Sequence, residues 1–254
     1  MNIHPTAIVN PAAKLDETVE VGPYAIIGEH VTIGAGTVVQ AHAFIDGHTT
    51  IGRNCKIFPF ACVGMPTQDL KYDGGTTYVD VGDGTTLREF STVHCGTKDG
   101  EVTRVGKGCL IMAYCHVAHG CVVGDGVIMS NAAMLAGEAI VEDKVTIAGL
   151  VGVHQFVRIG TMAMVSAPRL TKDVPPYMLV ARDPAEAISP NLVGLQRRGV
   201  SAEAISAIKH AFKLLYKSDL NHHQAIERIR AELPDIPELR HLCEFIEKSE
   251  RGVV

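Results

Sequence analysis

An aliphatic side chain recurs every six residues along most of this 254-residue chain. From Ile3 the positions are Val9, Leu15, Val21, Ile27, Ile33, Val39, Ile45, Ile51, Ile57 and Val63. The same phase resumes at Val81, Leu87 and Val93, then runs from Val105 through Ile111, Val117, Val123, Met129, Leu135, Val141, Ile147, Val153, Ile159 and Val165. A helix repeats its buried face about every 3.6 residues and a strand every two, so neither alone produces a period of six. A parallel β-helix does, with one short strand per repeat. Asp69, Gly75 and Asp99 break the phase, so loops are expected near 65–80 and 96–104.

Two positions before each aliphatic residue the chain keeps small or branched side chains, among them Ala25, Val31, Thr37, Ala43, Ala61, Val127, Ala133 and Ala139. Cys55, Cys109, Cys115 and Cys121 fall in the same slot, which marks them as packing thiols rather than reactive ones. Seven cysteines without a CxxC argue against a disulfide framework or a structural zinc site and fit a reducing compartment. Glycine often follows the aliphatic residue, as at Gly22, Gly52, Gly64, Gly82 and Gly106, where positive φ is the expected reason.

The chain is 46% hydrophobic but only 5% aromatic, so its interior is built from aliphatics. A net charge of −5 without a long basic run excludes nucleic-acid binding driven by bulk charge. No stretch approaches the roughly 20 apolar residues of a membrane span, and MNIHPTAIVN lacks a charged leader before an apolar segment. A soluble, cytoplasmic protein is expected.

After Val165 the repeat stops, which divides the chain into a β-helix over 1–170 and a proline-rich connection with a helical domain over 171–254. Ser201 is placed to cap an amphipathic helix carrying Ile205, Ile208, Phe212 and Leu215. Further helices are expected over 223–233 and from Pro237 to about Lys248. Lys209, Lys213 and Lys217 share one helix face, either a solvated surface or a docking stripe for an acidic protein.

This repeat resembles that of the left-handed β-helix acyltransferases. The resemblance, not the spacing, implies the handedness and a triangular coil of three hexapeptides, so that residues eighteen apart stack about 4.8 Å from each other. His119, Gly137 and Gln155 then form one column, with Glu138 and His154 beside it. His116 and His119 lie outside the packing phase of Val117. An imidazole with a bare glycine amide one rung above supplies a general base and an oxyanion donor for one reacting carbonyl. Two other readings compete. His94, His116 and His119 could ligate zinc, as in hexapeptide-repeat carbonic anhydrases, and a non-catalytic scaffold would scatter its polar residues without common phase.

Seven stretches in this order are similar to the UDP-N-acetylglucosamine O-acyltransferase family: QDLKY at 68–72, HCGT at 94–97, HVAH at 116–119, LAG at 135–137, HQF at 154–156, DVPPY at 173–177 and GLQRRG at 194–199. That resemblance implies transfer of an (R)-3-hydroxyacyl group from acyl carrier protein to the glucosamine 3-position of a UDP-sugar, opening lipid A synthesis. It implies a homotrimer with sites between subunits. No cofactor is implied beyond the 4′-phosphopantetheine that the carrier protein brings, and no metal. By position His119 matches the general base and the Gly137 amide the oxyanion donor. Gln68, Asp69, Lys71, His94, His116, His154 and Gln155 match the sugar and pantetheine cleft. Asn191, Arg197 and Arg198 match contacts to nucleotide and phosphates, and the lysine face then suits acyl carrier protein.

Three residues depart from the family form: Gly120 stands where an Asp follows the base, Glu138 where a His follows the oxyanion glycine, and Val193 where a Glu follows the tail asparagine. The first two lie one coil apart, so Glu138 is expected to supply the missing carboxylate beside His119. An anionic neighbour favours a cationic acceptor, which makes a 3-amino sugar an alternative to the 3-hydroxyl. Met162, Met164, Ala167 and Arg169 are candidates for ending an acyl channel.

Overall fold

A computed structural model of the chain describes residues 2–254. Short strands, most of two residues, fall into three parallel sheets that form the faces of a triangular prism. On the first face Glu20 pairs with Val38, on the second Ile26 with Phe44, and on the third Lys14 with Thr32, each eighteen residues on. The three-hexapeptide coil is therefore realised. Parallel pairing satisfies the backbone of every rung from the next one, which is how such short strands persist.

Two loops enlarge the coil where the phase breaks. Lys56 pairs with Thr86, thirty residues on, because residues 66–77 leave the prism between Cys62–Met65 and Tyr78–Val81. Thr86 then pairs with Leu110, twenty-four on, because a smaller excursion follows Thr92–His94. From Arg104 the coil returns to eighteen, with Arg104 opposite Val122.

The interior is the predicted aliphatic set. Ile27, Ile45, Val63, Val93, Val117, Leu135 and Val153 stack up the second face with at most 3% exposure, and each such side chain contributes about 1.5–3 kcal/mol by leaving water. Cys55, Cys109, Cys115 and Cys121 are buried as expected. Burial pushes the Cys115 thiol up to about 11 and Cys121 up to about 12, so neither is a thiolate at neutral pH.

The glycine expectation needs correction. Of Gly22, Gly52, Gly64, Gly82 and Gly106, only Gly64 has positive φ. At Gly82 a Cβ would lie 2.7 Å from the backbone of Gly106, so the absence of a side chain lets adjacent coils close up. Positive φ falls at the corners instead, often on ordinary residues: Tyr24, His42, Phe60, Phe90 and Tyr114 all adopt it, and their rings stack at 5.0–5.1 Å along one exposed edge. The ring stack offsets part of the backbone cost of that conformation.

The prism also continues past Val165. Leu170 pairs with Val153, Val174 bridges to Ile159, and Met178–Ala181 pairs beside Met164–Val165. Two of its sides, Val165 to Leu170 and Leu170 to Val174, are shorter than six residues, which hides this last rung from a six-residue count. A return strand, Glu186–Pro190, runs antiparallel to Met178–Ala181 and leads into four helices: α1 Leu192–Arg197, α2 Ala202–Tyr216, α3 His222–Glu232 and α4 Pro237–Glu247. The last three match the expected helices; α1 and the return strand were not foreseen. Ser201 accepts from the Ala204 N–H, and Asn221 with Gln224 forms a capping box.

Helix α4 docks on the prism through His241, whose Nε2 lies 2.7 Å from Glu142 Oε2. Thr161 donates to the same oxygen from its N–H and its hydroxyl, both at 2.8 Å. The Arg158 guanidinium lies over the Phe245 ring at 4.3 Å. The hydrogen bond to Glu142 raises the His241 pKa against the effect of burial, with Glu244 adding to the rise and Arg158 opposing it. Burial alone would push Glu142 up, but the bonds from His241 and Thr161 hold it below the ordinary carboxylate value.

The raised histidine contributes stability in full below its ordinary 6.5, lost as pH rises through its folded value; the depressed carboxylate contributes above its ordinary 4.5, lost as pH falls through its folded value. The docking is therefore complete between about pH 4.5 and 6.5. Amide exchange in Pro237–Glu247, corrected for intrinsic rate, should be better protected at pH 6 than at pH 9, and His241→Gln should remove that difference. Equal pH dependence in both proteins would contradict it.

Candidate active site

The corner after the second face is built from residues 118–121, 136–139 and 154–157 on successive rungs. Each rung is pinned to the next by the backbone: the Glu138 N–H donates to the His119 carbonyl at 2.9 Å and the Phe156 N–H to the Gly137 carbonyl at 3.1 Å. His119, Gly137 and Gln155 thus occupy the predicted column. A groove of about 630 Å³ opens along it, lined by Gln68, Asp69, Lys71, His116, His119, Gly137, His154 and Gln155, and floored by Met134 and Leu135. Eight of the proposed site residues meet there.

The side chain of His119 retains 17% exposure, and its Nε2 lies 3.7 Å from Asp69 Oδ2. A Cβ on residue 137 would lie 2.2 Å from that nitrogen, so the imidazole can keep this place only beneath a glycine. Its φ is not positive. Among the described residues nothing accepts from the Gly137 N–H. His119 Nδ1 is buried and likewise has no hydrogen-bond partner among them.

His116 contributes differently. Its Nδ1 lies 2.7 Å from the Thr92 hydroxyl, and burial, with the neighbouring His94 and His119, lowers its pKa to about 4. It is neutral at physiological pH. His94, expected in the cleft, is 7% exposed and packs edge-on behind His116 at 4.8 Å, so it supports the lining rather than forming it. Burial, then the charge of His119, lowers its pKa as well. The stacking of His94 under His116 follows from their places on adjacent rungs.

The three histidines do not converge as a ligand set. Among the described residues, the group whose ligand atoms come within 4.8 Å of one another is Glu101, His119 and Glu138. Glu138 is therefore beside His119 as expected. Its Oε1 also lies 3.3 Å from the exposed Lys98 ammonium. Glu101 was missed by the sequence reading; the only signal was its place at the end of the loop opened by Asp99. Thr92 and Arg251, whose guanidinium lies 3.4 Å from His154 Nδ1, were also missed.

The tail residues lie on a different edge. Asn191 donates to the Met162 carbonyl at 2.8 Å, and Arg198 to the Gly126 carbonyl at 3.3 Å. Met162 and Gly126 turn the corner between the third and first faces, so Asn191, Arg197 and Arg198 do not reach the His119 groove of their own chain. Met162 cannot end that groove either. Met164 faces outward on the first sheet, Ala167 is buried, and only Arg169 of the four candidates lines the groove. Lys209 and Lys213 on α2 and Lys217 at its C-cap are exposed. Val193 is exposed at 58%.

A solenoid of hexapeptide rungs with an imidazole under a bare amide defines a left-handed β-helix acyltransferase. A model of the bacterial transferase hexapeptide (six repeats) matches residues 103–137, and one described as "Udp N-acetylglucosamine O-acyltransferase; Domain 2" matches 173–254. The acyl-[acyl-carrier-protein]–UDP-N-acetylglucosamine O-acyltransferase of Myxococcus xanthus is 50% identical over 253 residues, covering 99% of this chain and 98% of its own. That of Verminephrobacter eiseniae is 52% identical over 235 residues, covering 92% and 89%. Among solved structures, LpxA from Acinetobacter baumannii superposes with a TM-score of 0.95 at 42% identity, over 99% of both chains. LpxA from Bacteroides fragilis gives 0.96 at 38% identity, also over 99% of both. The chain belongs to the acyl-[acyl-carrier-protein]–UDP-N-acetylglucosamine O-acyltransferase family and is an acyltransferase.

Proposed function

We propose that this protein transfers an (R)-3-hydroxyacyl group from acyl carrier protein to the 3-hydroxyl of the glucosamine ring in UDP-N-acetylglucosamine, the opening step of lipid A synthesis. The observation that carries the reading is His119 Nε2 seated beneath the side-chain-free Gly137 in an open groove. The sugar 3-oxygen attacks the thioester carbonyl carbon while Nε2 takes its proton. The carbonyl oxygen gains negative charge, which the Gly137 N–H stabilises. Collapse restores the carbonyl and expels the pantetheine sulfur, which leaves with the proton from His119. No resident cofactor or metal is needed, since the carrier protein brings its own 4′-phosphopantetheine. The reading places the reaction in the cytoplasm. No helix among the described residues is long and apolar enough to cross a membrane.

Nucleotide contacts come from Asn191, Arg197 and Arg198 of a neighbouring copy in a homotrimer. This is supported by their place a full prism face away from His119 in their own chain. Lys209 and Lys213 on α2, with Lys217 at its C-cap and over the Phe212 ring at 5.9 Å, offer an acidic carrier protein a row of exposed cations.

Shared sites give a sharp test. His119→Ala and Arg198→Ala trimers should each be nearly inactive, and co-refolding them should recover activity, because some mixed sites combine an intact base with an intact arginine. Recovery no greater than the sum of the parents would reject the shared site.

A second reading rests on the carboxylates near His119, since Asp69, Glu101 and Glu138 would favour a cationic 3-amino sugar and an amide product. Mass spectrometry of products from acyl carrier protein thioester with each UDP-sugar decides between them. Faster turnover of the 3-hydroxyl sugar supports the first reading; absence of acyl transfer to either sugar rejects both.

A further inference from the structure

We infer that Glu101, acting with Glu138, is the positioning residue for His119, replacing the carboxylate that Gly120 cannot supply. This rests on the acyl-transfer reading given above and adds a residue to that site. Glu101 ends the loop that leaves the prism after Thr92–His94, and it is held there by its own turn, where its carboxylate accepts from the Thr97 N–H. A Cβ on Gly120 would lie 3.2 Å from the carboxyl carbons of both Glu101 and Glu138. The two carboxylates therefore meet over Gly120, one from the loop and one from the rung above.

Gly120 is itself fixed, donating its N–H to the Thr103 hydroxyl at 2.9 Å and adopting φ of 64°. Glycine is consequently favoured twice at this position: by its backbone conformation and by the two carboxylates packed over it. An Asp here would compete with both glutamates for one volume.

The need that these carboxylates meet is visible on His119. Nε2 can act as a base toward the groove only if the ring proton resides on Nδ1. That Nδ1 is buried and takes no partner among the described residues, a costly state for a polar nitrogen. Asp69 faces the other nitrogen, Nε2, at 3.7 Å; Glu101 and Glu138 each bring a carboxylate oxygen within 4.8 Å of a ring nitrogen of His119 and of each other, which makes them the candidate acceptors for the Nδ1 proton. Lys98, 3.3 Å from Glu138 Oε1, offsets part of the repulsion between the two anions. An oriented imidazole with Nδ1–H held by carboxylate is the arrangement that fixes the basic tautomer in other hydrolytic and transferase sites.

The test uses full-length protein labelled with 15N-histidine. In the wild type, the His119 signals should report the neutral tautomer protonated at Nδ1. In Glu101→Gln/Glu138→Gln the two tautomers should approach equal population. kcat should fall on the order of tenfold to a hundredfold, with KM for the UDP-sugar little changed, because the loss is in the base rather than in substrate binding. Should the double glutamine variant fail to fold, Glu101→Ala/Glu138→Ala can be compared with the same variant carrying Gly120→Asp, where an added carboxylate should recover both the tautomer and part of the turnover. An unchanged tautomer, or an unchanged kcat, in the double glutamine variant overturns the inference, as does failure of Gly120→Asp to rescue. Failure of the acyl-transfer reading would appear separately, as a wild type that does not acylate a UDP-sugar while the tautomer still responds.

Discussion

His119→Ala should lower turnover with acyl carrier protein thioester by roughly a hundredfold to ten-thousandfold, the usual contribution of a positioned general base. No neighbour can stand in for it. His116 has the right side chain but is neutral with a pKa near 4, too weak a base for an alcohol, and its Nδ1 is engaged by Thr92. Asp69 is 3.7 Å from the lost nitrogen and on the loop side of the groove rather than beneath Gly137. The fold should be indifferent, because His119 lies at a corner outside the packed column and its carbonyl would still accept from Glu138. Unchanged thermal melting together with lost turnover is the expected pair of results. Retained turnover would return the molecule to the class of scaffolds, in which the column of polar residues has no chemical role.

How legible this was differed between fold and site. The prism could be read because one residue in six must be aliphatic to fill a narrow interior, and substitutions there are felt directly; Ile27, Ile111 and Leu135 are fully buried where the phase put them. The last rung was hidden because two of its sides are shorter than six residues, so Leu170 and Val174 fall out of phase while still pairing with Val153 and Ile159. The glycine rule misled for a different reason. Close approach of Gly82 to Gly106 leaves the same glycine in the sequence as a left-handed turn does, and the residues that do turn left-handed, such as Phe90 and Tyr114, carry no glycine to announce it.

Within the site, the column of His119, Gly137 and Gln155 followed from coil arithmetic once the coil length was supplied by resemblance. Glu101 could not follow from it, since a loop residue has no phase and reaches the corner only through the turn closed by Thr97. The tail arginines show the limit from the other side. Arg197 and Arg198 read as a pair suited to phosphate, but Arg198 sits beside Gly126 and not beside His119.

Gly137→Ala should be nearly as damaging as loss of the base, although it removes no functional group. The amide N–H is kept, and φ at this position is not left-handed, so alanine meets no backbone strain. The added methyl carbon would nevertheless lie 2.2 Å from His119 Nε2, closer than two such atoms can approach. The rung cannot retreat, because Glu138 and Phe156 hold it to the coils on either side. The imidazole must therefore swing out of the column, taking the base away from the reacting oxygen. A misplacement of about 1 Å already costs on the order of a hundredfold, so kcat should fall at least that far while melting temperature changes little.

Gly120→Ala, one rung below, provides the contrast. There the conformation is left-handed and the nearest atoms are the mobile ends of Glu101 and Glu138, so a stability loss of about 1 kcal/mol should exceed the catalytic one. Steady-state kinetics and thermal melts of the two alanine variants, run together, separate these outcomes. If Gly137→Ala turns over within a few-fold of wild type, His119 is not held beneath that amide during the reaction, and the oxyanion geometry proposed for this corner is wrong.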